Sequence, residues 1–259
     1  MTPRNFLIRG LLAGFLAGIF AFAVAYTAGG PQVDAAIAVE ESGAATDPAA
    51  DGHTHSHDEK EAGTSVSREN QSTWGLATGT LAVGTALGGV VGLVSAFAVG
   101  RLGRMRPSQS TATIALIGFI SFALVPFLKY PATPPAVGNS DTIGDRTLQY
   151  FAMQAISLLA AIGVVLLARR LLGRLGTYRT LLVAGGTYLV IVVVAGLALP
   201  TVHEVGDFPA DTLWYFRRSS LLTLATMWGA IGILLAGFIG SLYARETAVT
   251  ARRDLAASL

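Results

Sequence analysis

Residues 74–106, WGLATGTLAVGTALGGVVGLVSAFAVGRLGRMR, decide what kind of chain this is. The first 26 of them, Trp74 to Val99, carry no charged side chain, and Arg101, Arg104 and Arg106 follow at once. A helix of about 20 residues crosses the roughly 30 Å hydrocarbon layer of a bilayer, so this run is long enough to span one. The arginines behind it belong on the cytoplasmic side, where short loops collect Lys and Arg.

Working outward, the same reading finds five further spans, at Leu7–Ala28, Thr111–Leu128, Tyr150–Ala168, Leu181–Leu199 and Leu221–Tyr243. Composition agrees: 52% of the 259 residues are hydrophobic and 13% charged, about half the charged share of a soluble domain. The expected fold is therefore all-α: a single integral membrane domain over residues 1–259, a bundle of about six transmembrane helices. Gly10, Gly14 and Gly18 recur at every fourth position of the first span, Gly84, Gly88 and Gly92 of the second, and Gly232, Ala236 and Gly240 of the sixth. Such faces let helix backbones approach closely. A competing reading takes the first span as a signal peptide ending near Ala23-Val24-Ala25, which would leave five spans.

The segments between spans alternate in charge. Those at the start of span one (Arg4, and Arg9 just inside it), following spans two and six, and joining spans four and five hold 12 of the 18 basic residues and two of the 16 acids, a formal charge of +10. The other three loops sum to −8. Both termini are thus expected in the cytoplasm, with an acidic outer face, in a cytoplasmic (inner) membrane. The overall net charge of +2 is a cancellation.

The outer loops hold the chemistry. Residues 29–73 lack periodicity and read as a mobile extracytoplasmic loop rich in His and acids. Within it, His53, His55 and His57 stand between Asp51 and Asp58. Several imidazoles with nearby carboxylates on a flexible backbone suit a divalent first-row metal, without selecting among Co²⁺, Ni²⁺, Zn²⁺ and Cu²⁺. The remaining histidine opens His203-Glu204-Val205-Gly206-Asp207. It has Asp207 where a zinc protease helix needs its second histidine, so it offers at most a weak cation site from His203, Glu204 and Asp207. The spans hold no charged proton-relay residue, only Met153 and Gln154 in span four and Thr223 and Met227 in span six as possible path-lining groups. No phosphate loop, nucleophile elbow or dinucleotide fingerprint occurs, so nucleotide-driven pumping and enzymatic chemistry are not expected. The absence of cysteine removes disulfides, thiolate metal sites and iron–sulfur clusters. Pro126 to Gly138 holds four prolines and reads as a rigid outer lip, and Leu213-Trp214-Tyr215-Phe216-Arg217-Arg218 as an interfacial aromatic and basic cluster.

Four blocks carry a family resemblance: Pro31-Gln32-Val33-Asp34 with Glu40-Glu41; the histidine loop at 53–57; Phe127-Leu128-Lys129-Tyr130-Pro131 through Pro134-Pro135-Ala136-Val137-Gly138 with Thr142-Ile143 and Arg146-Thr147; and Phe208-Pro209-Ala210 with Trp214, Phe216 and Arg217. With these the chain resembles the CbtA family of predicted cobalt transporter subunits over nearly its whole length. Family members are described with about five spans, where this chain reads as six. The resemblance implies Co²⁺ as the cargo, an association with cobalamin metabolism, and a small single-span partner, CbtB, with its own histidine-rich segment. It marks Asp34, Glu40, Lys129, Tyr130, Pro135, Arg146, Pro209, Trp214 and Arg217 as family-pattern positions, all expected on or near the outer face.

The resulting expectation is a membrane subunit for divalent-metal uptake, with the outer histidine loop capturing the ion. The rival expectation is a non-conducting scaffold or metal-sensing subunit that holds the small partner.

Overall fold

The computed structural model describes residues 1–46, 67, 70–135, 137, 138 and 140–258. Among these the regular structure is helical and holds no strand, with α1 (Pro3–Val24), α2 (Gly30–Thr46), α3 (Leu76–Ala98), α4 (Pro107–Gly118), α5 (Val125–Lys129), α6 (Ile143–Ala198) and α7 (Ala210–Ala257). Short π-helical turns at Ala25–Gly29, Gln71–Gly75 and Phe119–Leu124 run into the neighbouring α-helices. The histidine loop, with Asp51 and Asp58, lies outside the described residues.

Five helical stretches are long and apolar enough to cross a membrane: Pro3–Ser42, Gln71–Ala98, Pro107–Lys129, Ile143–Ala198 and Ala210–Ala257. They take in all six expected spans, because α6 holds two. At 1.5 Å per residue an unbroken 56-residue helix would be about 84 Å long, nearly three hydrocarbon thicknesses. It is broken at Gly176, whose φ of 71° and ψ of 171° leave the helical region for one that glycine enters without a Cβ penalty. The two arms then run side by side, with Ser157 Oγ and Tyr188 OH 2.7 Å apart; beyond the second arm, Glu204 Oε2 of the following loop stands 3.4 Å from Arg146 Nε on the first. The loop expected around Arg169–Arg179 is thus a turn at one glycine between two helical arms. The outer segment also differs from expectation at its start, since the first helix continues through the π turn into α2 as far as Thr46.

The glycine faces pack against each other. α1 and α3 run antiparallel, with Gly10 against Gly88 and Gly92, Gly14 against Gly84 and Gly88, and Gly18 against Thr80 and Leu81. A Cβ built at Gly14 would lie 2.1 Å from the carbonyl oxygen of Gly84, so nothing larger than hydrogen fits. α7 then fills the space beside this pair with a stripe at every fourth residue: Met227, Ile231, Leu235 and Ile239. The last three are fully buried, against small faces that include Ala13, Ala17 and Ala21 of α1 and Ala115 of α4. Large side chains from one helix meet alanines from the others, which is how ridges fill grooves without voids. Trp228 closes the top of this core, its ring against Gly118 and 6.0 Å from that of Phe122. The packed core lies toward the arginine-rich end of the bundle; the opposite end is open.

Candidate functional site

That open end is a cavity of about 1400 Å³ between the start of α2, α3, the α5 segment and the lip after it, the first arm of α6, the loop at 202–205 and α7. Two of the three π turns border it, contributing Ala25, Tyr26 and Gly29 from one and Gln71, Ser72 and Gly75 from the other. The α1–α3 register explains why the opening begins there. The glycine contact ends at Gly18 and Thr80, and outward of it both helices pass into a π turn. A π turn inserts a residue, re-aims the backbone, and recurs at functional positions in helices.

The rim is tied together by residues far apart in sequence. Lys129 ends α5, and its Nζ donates to the carbonyl of Leu199 at 3.2 Å while lying 5.4 Å from the centre of the Tyr130 ring. The Tyr130 hydroxyl donates to the carbonyl of Pro200 at 2.7 Å. These two contacts satisfy carbonyls just past the end of α6, where the helix has no further N–H to offer. Partial burial holds the Tyr130 phenol above its ordinary pKa, so it stays protonated and keeps donating. Arg217 Nε donates to the carbonyl of Ala132 at 3.4 Å, bracing α7 against the same proline-rich lip. Arg146 and Glu204, both mostly buried, form the ion pair noted above. Gly138 makes room for it: with φ at +108°, a Cβ there would stand 2.2 Å from Arg146 Nη1.

Five of the nine family-pattern positions therefore converge on one cavity: Asp34, Lys129, Tyr130, Arg146 and Arg217 all line it. Glu40 is exposed further along α2, Pro135 lies at the turn of the lip, and Pro209 precedes the first turn of α7. Trp214 is 65% exposed on the outside of that helix, where an interfacial aromatic belongs.

Of the metal candidates, Glu204 lines the cavity and is engaged by Arg146, whereas His203 and Asp207 are exposed on the loop and His203 Nε2 is hydrogen-bonded to Thr201 Oγ1 at 2.9 Å. Among the described residues there is no group of three or more His, Asp or Glu side chains placed to hold a metal ion. Of the path-lining candidates, Thr223 reaches the cavity with Ser219, Ser220 and Thr80. It sits 13 residues into α7, about 20 Å from the start of that helix. Met227 lies one turn deeper in the packed core, Met153 is buried on the first arm of α6, and Gln154 Nε2 donates to the carbonyl of Phe122 at 2.9 Å.

Sequence reasoning missed Tyr26, Thr80 and Tyr150 as lining residues and Gly138 as the cradle of Arg146. The first three stand in or beside apolar spans with no local signal. Gly138 ends the proline-rich block, and a glycine closing a rigid lip is a sign that could have been read.

The family described as probable cobalt transporter subunit (CbtA) matches residues 3–240. No curated protein and no solved structure matches the chain.

Proposed function

The chain belongs to the CbtA family of probable cobalt transporter subunits, and from that premise we propose that it is the conducting subunit of a Co²⁺ importer in the cytoplasmic membrane, with the cavity as its outward vestibule. The observation that carries this reading is the asymmetry of the bundle: open and hydroxyl-floored at the end of the acidic loops, closed by Trp228 and the Met227–Ile239 stripe at the arginine-rich end. An alternating-access or gated carrier caught open to the outside has this form.

In the proposed sequence of events, the acidic outer loops raise the local cation concentration, and His53, His55 and His57, with Asp51 and Asp58, capture the metal as neutral imidazoles and carboxylates. The ion passes to the vestibule and descends past Thr80 and Thr223 toward Met227. A divalent ion moving inward gains about 4.6 kcal/mol per 100 mV of inside-negative potential, so no nucleotide is required. The long hairpin of α6, least buried of the five spanning stretches, offers its surface to lipid and to a small single-span CbtB-type partner. Replacing His53, His55 and His57 together by alanine is expected to cut cobalt accumulation several-fold at low external metal in cells lacking other importers. Unchanged accumulation removes the loop from the mechanism.

A scaffold or metal-sensing subunit is the second reading. One observation favours it: the described cavity lining holds three basic side chains against two carboxylates, an unusual wall for a naked cation. A scaffold of this kind gives no metal flux by itself.

A further inference from the structure

That charge balance can be followed to a ligand. Of the five charged residues on the cavity wall among the described residues, Arg146 and Glu204 pair with each other. Lys129 and Arg217 have no carboxylate within ion-pair distance among the described residues, and Asp34 has no cation. The two cations share one wall, because Ala132, whose carbonyl takes the Arg217 Nε–H, is three residues from Lys129. Each spends one donor on a backbone carbonyl, which leaves Lys129 two N–H donors and Arg217 its four terminal ones. Fixed guanidinium and ammonium groups with donors to spare are the standard receptors for carboxylate and phosphate oxygens.

The remaining wall is unlike an ion site. It is largely apolar and aromatic, with Tyr26, Phe127, Tyr130, Tyr150 and Phe216 around the cations. Its volume of about 1400 Å³ exceeds the roughly 300–1,000 Å³ of pockets that enclose drug-sized molecules, and is far beyond what one ion fills.

We propose that this vestibule binds an organic oxygen-anion ligand at Lys129 and Arg217, and that the metal is delivered to it as a polycarboxylate chelate, which stays outside and gives up the ion there, so that only the divalent cation crosses. A divalent ion held by a tricarboxylate carries a net negative charge, which complements a wall of formal charge +1. The same wall repels the uncomplexed ion. The metal half of this proposal rests on the importer reading above; the anion half does not.

The test uses the full-length protein, purified and placed in nanodiscs of zwitterionic phosphatidylcholine, with citrate as the probe in titration calorimetry. Saturable citrate binding is expected, weakened at least tenfold by Arg217→Gln and by Lys129→Gln. It should be retained by Arg217→Lys and unchanged by Arg218→Gln, whose guanidinium lies over the Tyr215 ring and does not line the cavity. Melting temperatures of the variants separate loss of binding from loss of fold. No saturable binding, or equal binding by Arg217→Gln and wild type at equal stability, overturns the proposal. Citrate binding abolished in nanodiscs of anionic phosphatidylglycerol also overturns it, since the anion accepted would then be a lipid headgroup. Radioactive cobalt flux into proteoliposomes, with and without equimolar citrate, separates the two claims. Flux indifferent to citrate overturns the chelate and leaves the importer standing, whereas citrate binding with no flux under either condition leaves the anion site and removes the importer.

Discussion

Gly14 and Gly185 are both helical glycines in apolar spans, yet replacing each with alanine should move stability in opposite directions. At Gly14 the new Cβ would lie 2.1 Å from Gly84 O and 2.9 Å from Gly88 Cα, both backbone atoms that cannot rotate away. Restoring an ordinary contact of about 3.4 Å or more requires α1 and α3 to separate by roughly 1 Å, which forfeits dispersion and Cα–H···O contacts along three turns of the glycine face. The cost belongs at the upper end of the overpacking range, about 3 kcal/mol. At Gly185, on the second arm of α6, a Cβ meets nothing within 4 Å, and alanine gains up to about 1 kcal/mol of helix propensity. Unfolding in mixed micelles by titration with sodium dodecyl sulfate, followed by tryptophan fluorescence, reads both. A difference of about 3–4 kcal/mol is expected. If Gly14→Ala falls within about 0.5 kcal/mol of Gly185→Ala, α1 does not pack on α3 as described.

Two further outcomes follow from the rim. Arg146→Gln and Glu204→Gln should each cost about 1–3 kcal/mol, as expected for a mostly buried charged pair, and the double variant should cost less than their sum in the same unfolding assay; Gly138→Ala should reproduce the Arg146→Gln defect by displacing the guanidinium. Tyr130 contributes a pH dependence of defined sign: its folded-state pKa is raised by burial above the unfolded value of about 10, so its contribution is fully present below that value and is lost as pH rises through the folded pKa. Tyr130→Phe should therefore lower stability at neutral pH by about 1 kcal/mol and flatten the alkaline limb of the stability curve.

The sequence discloses what is written in contiguous residues. Each spanning helix is announced by a charge-free run, and the glycines at every fourth position of α1 and α3 announce a close antiparallel pair. The turn at Gly176 was hidden because arginines and leucines on both sides are good helix formers, so the arms overshoot the apolar layer and leave no loop to recognise. The helical course of Gly30–Thr46 was hidden for the opposite reason, as its alanine, serine and acid composition carries no apolar periodicity. The cavity was not legible from local pattern at all, since Lys129 meets Leu199 and Arg217 meets Ala132 across 70 and 85 residues. The resemblance had named five of its residues singly, and only packing shows that they share a wall.

As the importer proposed above, this chain, open outside and plugged inside, would conduct the metal itself. Reconstituting it alone into proteoliposomes with an imposed inside-negative potential, and following radioactive cobalt with citrate both present and absent, tests that claim directly. Saturable uptake that rises with the potential is expected, toward an accumulation of about three orders of magnitude per 100 mV at equilibrium. Uptake no greater than in protein-free liposomes, under either condition and at every potential, would contradict it.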